Sequence, residues 1–272
     1  MIEFANDIFT LEPPTKQTFD LKGTALPTNK DLYFRTKQRE IIDQYAAARI
    51  FLSETETEDW QHWFEQVDDK KNNTAFKNIF ITYFYEAALM YYNIVVDLTW
   101  TLCYVSAEFA ISNSSQRVDF EGCKPIEEAY QLLRTAENSV TSPTAELNPF
   151  GYLQKMCPEY SNAIQIIIDF WNSFGSSPIR KKYNYCKHKG KPAYDEIEEL
   201  RGKERLFGIS IQPVNSSETI QIASDIRDVQ WVQSLTENIA ELKRFDDEQL
   251  YPYVKSLLEE LEQVIKPSPM VM

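Results

Sequence analysis

The chain has 272 residues, 43% of them hydrophobic, so it can bury a sizeable core in one large domain or two modest ones. Its 7 glycines are too few for the βα turns and phosphate loops of a parallel α/β fold, and no GxGxxG or P-loop motif occurs. A formal net charge of -13 argues against general coating of nucleic acid, because phosphate contacts need cations, but it leaves room for a local basic site.

Cys103, Cys123, Cys157 and Cys186 form no close pair, so neither a zinc knuckle nor a redox motif is present. Met1-Ile2-Glu3-Phe4 is acidic and opens no long apolar run, so no signal peptide is expected. Together with free thiols, this points to the cytoplasm. Residues 1–29 contain Pro13, Pro14 and Pro27 and form an irregular arm, pinned by Phe4, Ile8, Phe9 and Phe19. A single helical domain, 30–265, follows, and 266–272 is a frayed tail.

The first long helix starts near Asn29 or Asp31, both good caps, and runs to about Leu52. Thr55-Glu56-Thr57-Glu58 has the capping-box pattern of a short helix with Trp60, Trp63 and Phe64 on its apolar side. His62 lies beside them as a core or rim residue. Asp68 to Asn73 forms a polar turn. From Thr74 to Ser112 no Pro or Gly interrupts the chain, which predicts one long central helix. Most of its sides are apolar. Glu86, Asp97 and Glu108, eleven apart, make one narrow polar stripe, with Thr82, Asn93 and Thr101 near the same line. A membrane span is rejected, because Asp97 splits the apolar run and a span needs about 20 such residues. A di-metal carboxylate site is rejected too. It would need Glu-x-x-His pairs, and the two histidines, His62 and His188, complete none, so no metal and no cofactor is expected.

Pro125 opens a helix over 126–138. A short helix follows at 150–156, and Glu159 to Phe174 is a second buried helix. Near 205–223 the apolar period changes to two, with Phe207, Ile209 and Ile211 before a turn and Ile220 and Ile222 after it, which predicts a single β-hairpin. Asp225 caps a helix to about Arg244, and Asp246 or Asp247 caps a last one to Ile265. The fold class is therefore mainly α, a helical bundle around one long central helix with one hairpin.

The segment 178–191 is the largest local anomaly. Ser177 caps it, Pro178 takes its first turn and Gly190 ends it. Arg180, Lys181, Lys182, Lys187, Lys189 and Lys191 follow one another with no acid between Asp169 and Asp195. Helical spacing puts Ile179, Tyr183 and Cys186 on a docking face and Arg180, Asn184, Lys187 and His188 on an accessible one. Asn184-x-x-Lys187-His188, with Arg180 upstream, resembles the HEPN family of helical bundles. That resemblance implies a metal-independent endoribonuclease in which Arg180 holds the scissile phosphate and His188 moves the proton of the ribose 2′-hydroxyl. Tyr183 stands where the family carries an Arg before the Asn, and Arg180 lies a turn further upstream. Three readings are open. The first is a non-catalytic helical protein that binds RNA, a phosphorylated ligand or an acidic partner through Arg180, Lys181, Asn184, Lys187, His188 and Lys191. The second is the ribonuclease. The third is a structural or homo-oligomeric interaction protein, with the basic face merely solvated and paired to Glu196, Glu198 and Glu199.

Overall fold

A computed structural model of the protein describes residues 2–5, 29–58, 70–112, 150–201, 210–211, 220–221 and 232–265. The helices expected around 57–64 and 126–138, most of the N-terminal arm and the tail lie outside them.

Two long helices form the frame. Helix α1 spans Asn29–Glu54 and α2 spans Lys70–Ser112. The latter begins four residues earlier than the sequence suggests, because the polar run Lys70 to Asn73 makes its first turn instead of a separate loop. The two helices run antiparallel: Tyr45 meets Tyr92 at 6.0 Å between ring centroids, while Phe51 stacks on Tyr91 at 5.3 Å and on Phe84 at 6.2 Å. Thr55 closes α1 by donating its hydroxyl to the Leu52 carbonyl at 2.6 Å.

Helix α3, Phe150–Met156, leads through a 3₁₀ turn at Pro158–Tyr160 into α4, Ser161–Phe174. One side of α4 buries Ala163, Ile164, Ile167, Phe170 and Phe174. Helix α5, Pro178–His188, is the basic segment, and α6, Asp195–Arg201, is the short acidic helix after it. Ser210–Ile211 (β2) and Ile220–Gln221 (β3) pair antiparallel, with Ile211 opposite Ile220, so the expected hairpin is present. A second pairing was not expected. Ala193–Tyr194 (β1) runs parallel to Val232–Gln233 (β4). A parallel pair joins segments far apart in the chain and leaves no turn signal between them.

This pairing moves the next helix. Helix α7 is Leu235–Phe245, not a helix from Asp225, since Val232 and Gln233 are strand. Its cap is Ser234, whose hydroxyl accepts from the Glu237 amide at 3.2 Å. The Glu196 carboxylate takes the amides of Leu235 at 2.8 Å and Thr236 at 2.9 Å. The first turn of α7 is thereby saturated from another element.

Asp246 is not a cap. The chain continues without a break through a π-helical turn, Asp246–Leu250, into α8, Tyr251–Val264. Pro252 explains the wide turn: it has no amide proton, and its ring would clash with the carbonyl four residues back. The Tyr251 amide reaches the Asp246 carbonyl instead. The Asp246 side chain is 0% exposed. It accepts from the Tyr45 hydroxyl and from Arg49 Nε at 2.8 Å, so it bolts α1 to the α7–α8 junction. Burial raises its pKa, against the opposing pull of Arg49 and Tyr45. Phe4 covers the Arg49 guanidinium at 4.4 Å, and the Ala5 amide donates to Asp247 at 3.2 Å.

Replacing Asp246 by Ala leaves the buried Arg49 with only the more distant carboxylate of Asp247, 3.9 Å away, and should cost about 3–5 kcal/mol in chemical denaturation. The double variant Arg49→Met, Asp246→Leu should recover most of that loss, because no charge is then buried. Equal losses for both proteins would show that packing, not charge, sets the cost.

Candidate functional site

The basic segment begins as its residues dictate. The Ser177 hydroxyl accepts from the Arg180 amide at 3.2 Å, and Pro178 needs no partner in the first turn. Gly190 adopts φ 115, a conformation that favours glycine, and its amide reaches the Tyr185 carbonyl at 3.1 Å. Ile179 and Tyr183 are buried, and Cys186 is half-buried, so the docking face is the one its spacing implies. Burial pushes the Cys186 thiol up to about 11, which keeps it protonated at neutral pH.

Helix α5 lies antiparallel along the polar stripe of α2. At one end Arg180 donates to Asn93 Oδ1 at 3.0 Å and sits 3.6 Å from Asp97 Oδ1. At the other end Lys191 lies 3.3 Å from Glu86 Oε2, and Tyr194 donates its hydroxyl to Glu86 Oε1 at 3.2 Å. The stripe is thus a docking rail. Thr82, also on it, is buried and returns its hydroxyl to the Asn78 carbonyl at 2.8 Å. Desolvation raises the pKa of Glu86, with Lys191 and Tyr194 pulling the other way. It raises that of Asp97 also, opposed by Arg180 and Lys187.

Arg180 does not share the accessible face of Asn184, Lys187 and His188. Its side chain is only 12% exposed. The guanidinium lies among the rings of Tyr183 at 4.9 Å, Phe174 at 5.7 Å, and Trp100 and Trp171 at 5.8 Å each. Helical spacing placed Arg180 on an outer line but could not show that α2 and α4 cover that end. Gly175 is part of this arrangement: a Cβ there would come within 2.9 Å of the Trp171 ring.

Lys182 is also buried, paired with Glu241 of α7. The sequence offered no sign of this, because Glu241 lies in a distant element. Among the described residues, the acids that pair with the segment are therefore Asp97, Glu86 and Glu241, while Glu196 serves the start of α7. Lys181, Asn184, Lys187, His188, Lys189 and Lys191 remain exposed. Among the described residues, Lys181, Lys187, His188 and Lys189 have no ion pair. Lys187 leans over the Tyr183 ring at 5.6 Å. The described residues contain no cluster of His, Cys, Asp or Glu able to hold a metal ion. Among the described residues one stretch, Asn72–Ala107 of α2, is long and apolar enough to cross a membrane by length and composition, and less than half of its most apolar part is buried inside the protein.

Comparison of the chain with protein-family models, curated proteins and solved structures finds no match.

Two outcomes follow. Arg180→Ala should destabilise the fold by about 2–4 kcal/mol, since it strips a partner from Asn93 and Asp97 and opens space among four aromatic rings. Asn184→Ala, on the exposed face, should shift stability by less than about 0.5 kcal/mol. Thermal unfolding separates the two. Glu86 binds its proton more tightly folded than unfolded, so its contribution is full below the ordinary carboxylate pKa and is lost as pH rises through the raised one. Glu86→Gln should therefore gain on the parent protein as pH rises through that window. A constant difference across it would reject the raised pKa.

Proposed function

We propose that this is a non-catalytic cytoplasmic protein that binds a polyanion through the exposed end of α5. The site comprises Lys181, Asn184, Lys187, His188 and Lys189, with Lys191, which is held by Glu86, at its edge. One observation carries the reading. The three acids facing the segment are taken by Arg180, Lys182 and Lys191, and so Lys181, Lys187 and Lys189 stand exposed with no ion pair among the described residues. A merely solvated basic face in a chain of net charge -13 would be expected to find acids nearby.

The ribonuclease reading asks Arg180 to hold a phosphate. Its engagement with Asn93 and Asp97 is the reason for preferring binding over cleavage. Arg180 then positions the helix, and His188 contributes hydrogen bonds.

The test is titration of the whole protein with labelled inorganic polyphosphate across a salt series. Each contacting cation contributes about one unit to the slope of log affinity against log salt. Lys187→Ala with Lys189→Ala should flatten that slope by about two units and leave the melting temperature unchanged. No binding at low salt, or an unchanged slope, would sink the proposal.

A further inference from the structure

We propose that Tyr83 extends the basic face into a stacking platform, so that the polyanion bound there is a single-stranded nucleic acid. This rests on the polyanion reading above. Tyr83 projects from α2 with 55% of its surface open. The Lys191 ammonium lies 4.2 Å from the ring centroid, and the same ammonium is held 3.3 Å from Glu86. Phe80 meets the ring edge-on at 6.3 Å and 89°, which restrains its tilt.

The two parts are contiguous. Lys187, His188 and Lys189 end α5, the left-handed turn at Gly190 redirects the chain, and Lys191 then falls on Tyr83. A row of cations therefore leads to an exposed aromatic ring with a cation over one of its faces, so a base would stack on the other. An acidic peptide or a polyphosphate uses only the cations. A nucleic acid strand uses both, its phosphates on the lysines and an unpaired base on the tyrosine. A duplex keeps its bases stacked internally and cannot reach the ring. The charges of this surface complement the phosphates, and its aromatic group complements the base.

The experiment measures anisotropy of the full chain with five labelled probes: uridine-rich RNA, thymidine-rich single-stranded DNA, a duplex of equal charge, polyglutamate and inorganic polyphosphate. Both single strands should bind more tightly than the duplex and polyglutamate. Tyr83→Ala should weaken single-strand binding about ten-fold while leaving polyphosphate binding unchanged, and Tyr83→Phe should retain it. Tighter binding of RNA than DNA would add a 2′-hydroxyl contact to the platform, and equal binding would assign it to base and phosphate alone. The inference fails if Tyr83→Ala leaves the single strands unaffected, or if it weakens polyphosphate equally, since Tyr83 would then only hold Lys191. It also fails if duplex or polyglutamate binds as tightly as the strands. Absence of polyphosphate binding by the parent protein would remove the polyanion reading itself, and this inference with it.

Discussion

A helix that is apolar on most sides cannot leave its few polar groups to chance. In α2, Asn93, Asp97 and Glu86 sit along a line that would be costly to bury without partners. The rest of the chain supplies them. Arg180 spans Asn93 and Asp97, and Lys191 and Tyr194 meet Glu86. Because these contacts lie three turns apart on α2, they fix both the direction and the register of α5. Apolar contacts alone would let the shorter helix slide. The aromatic rings around Arg180 then cover its guanidinium at that end.

An adjoining flank of α2 uses the same device. Asp246, brought inward by the π turn ahead of Pro252, takes Tyr45 and Arg49 from α1, with Tyr92 of α2 beside it. Tyr92 and Asn93 are consecutive, so their side chains leave α2 about 100° apart. One joins the Asp246 cluster and the other joins Arg180. The central helix is held by a polar contact on each flank, with hydrophobic packing between. Phe170 stacked on Tyr253 at 3.8 Å, and Phe174 on Phe245 at 5.4 Å, close that packing from α4 and the C-terminal helices.

What the sequence made legible was local. The start and stop of α5 are written in Ser177, Pro178 and Gly190, because caps act within a turn. The length of α2 and its stripe follow from periodicity. What it hid was partnership. Asp246 looked like a cap because aspartate caps well, and nothing near it announces Arg49. Arg180 looked exposed because spacing tells which residues share a line, not what covers that line. Lys182 and Glu241 lie in separate helices. Asp225 reads as the cap of α7 because it caps well, and nothing nearby announces that Val232 and Gln233 pair with a distant strand and leave the cap to Ser234. Tyr83 carried no signal at all. An aromatic residue on a long apolar helix reads as core until the neighbouring elements are in place.

The overall charge bears on what the basic face can hold. At physiological salt, exposed charges act over about 8 Å. Beyond that distance an approaching polyanion feels little of either sign. Within it, the strand proposed above would meet the local row of Lys187, Lys189 and Lys191 rather than the charge of the whole chain. A net charge of -13 is therefore compatible with a local anion site, because charges more than a screening length away contribute little there. For the single strand proposed above, the exposed ring of Tyr83 would add a contact that the cations alone do not provide.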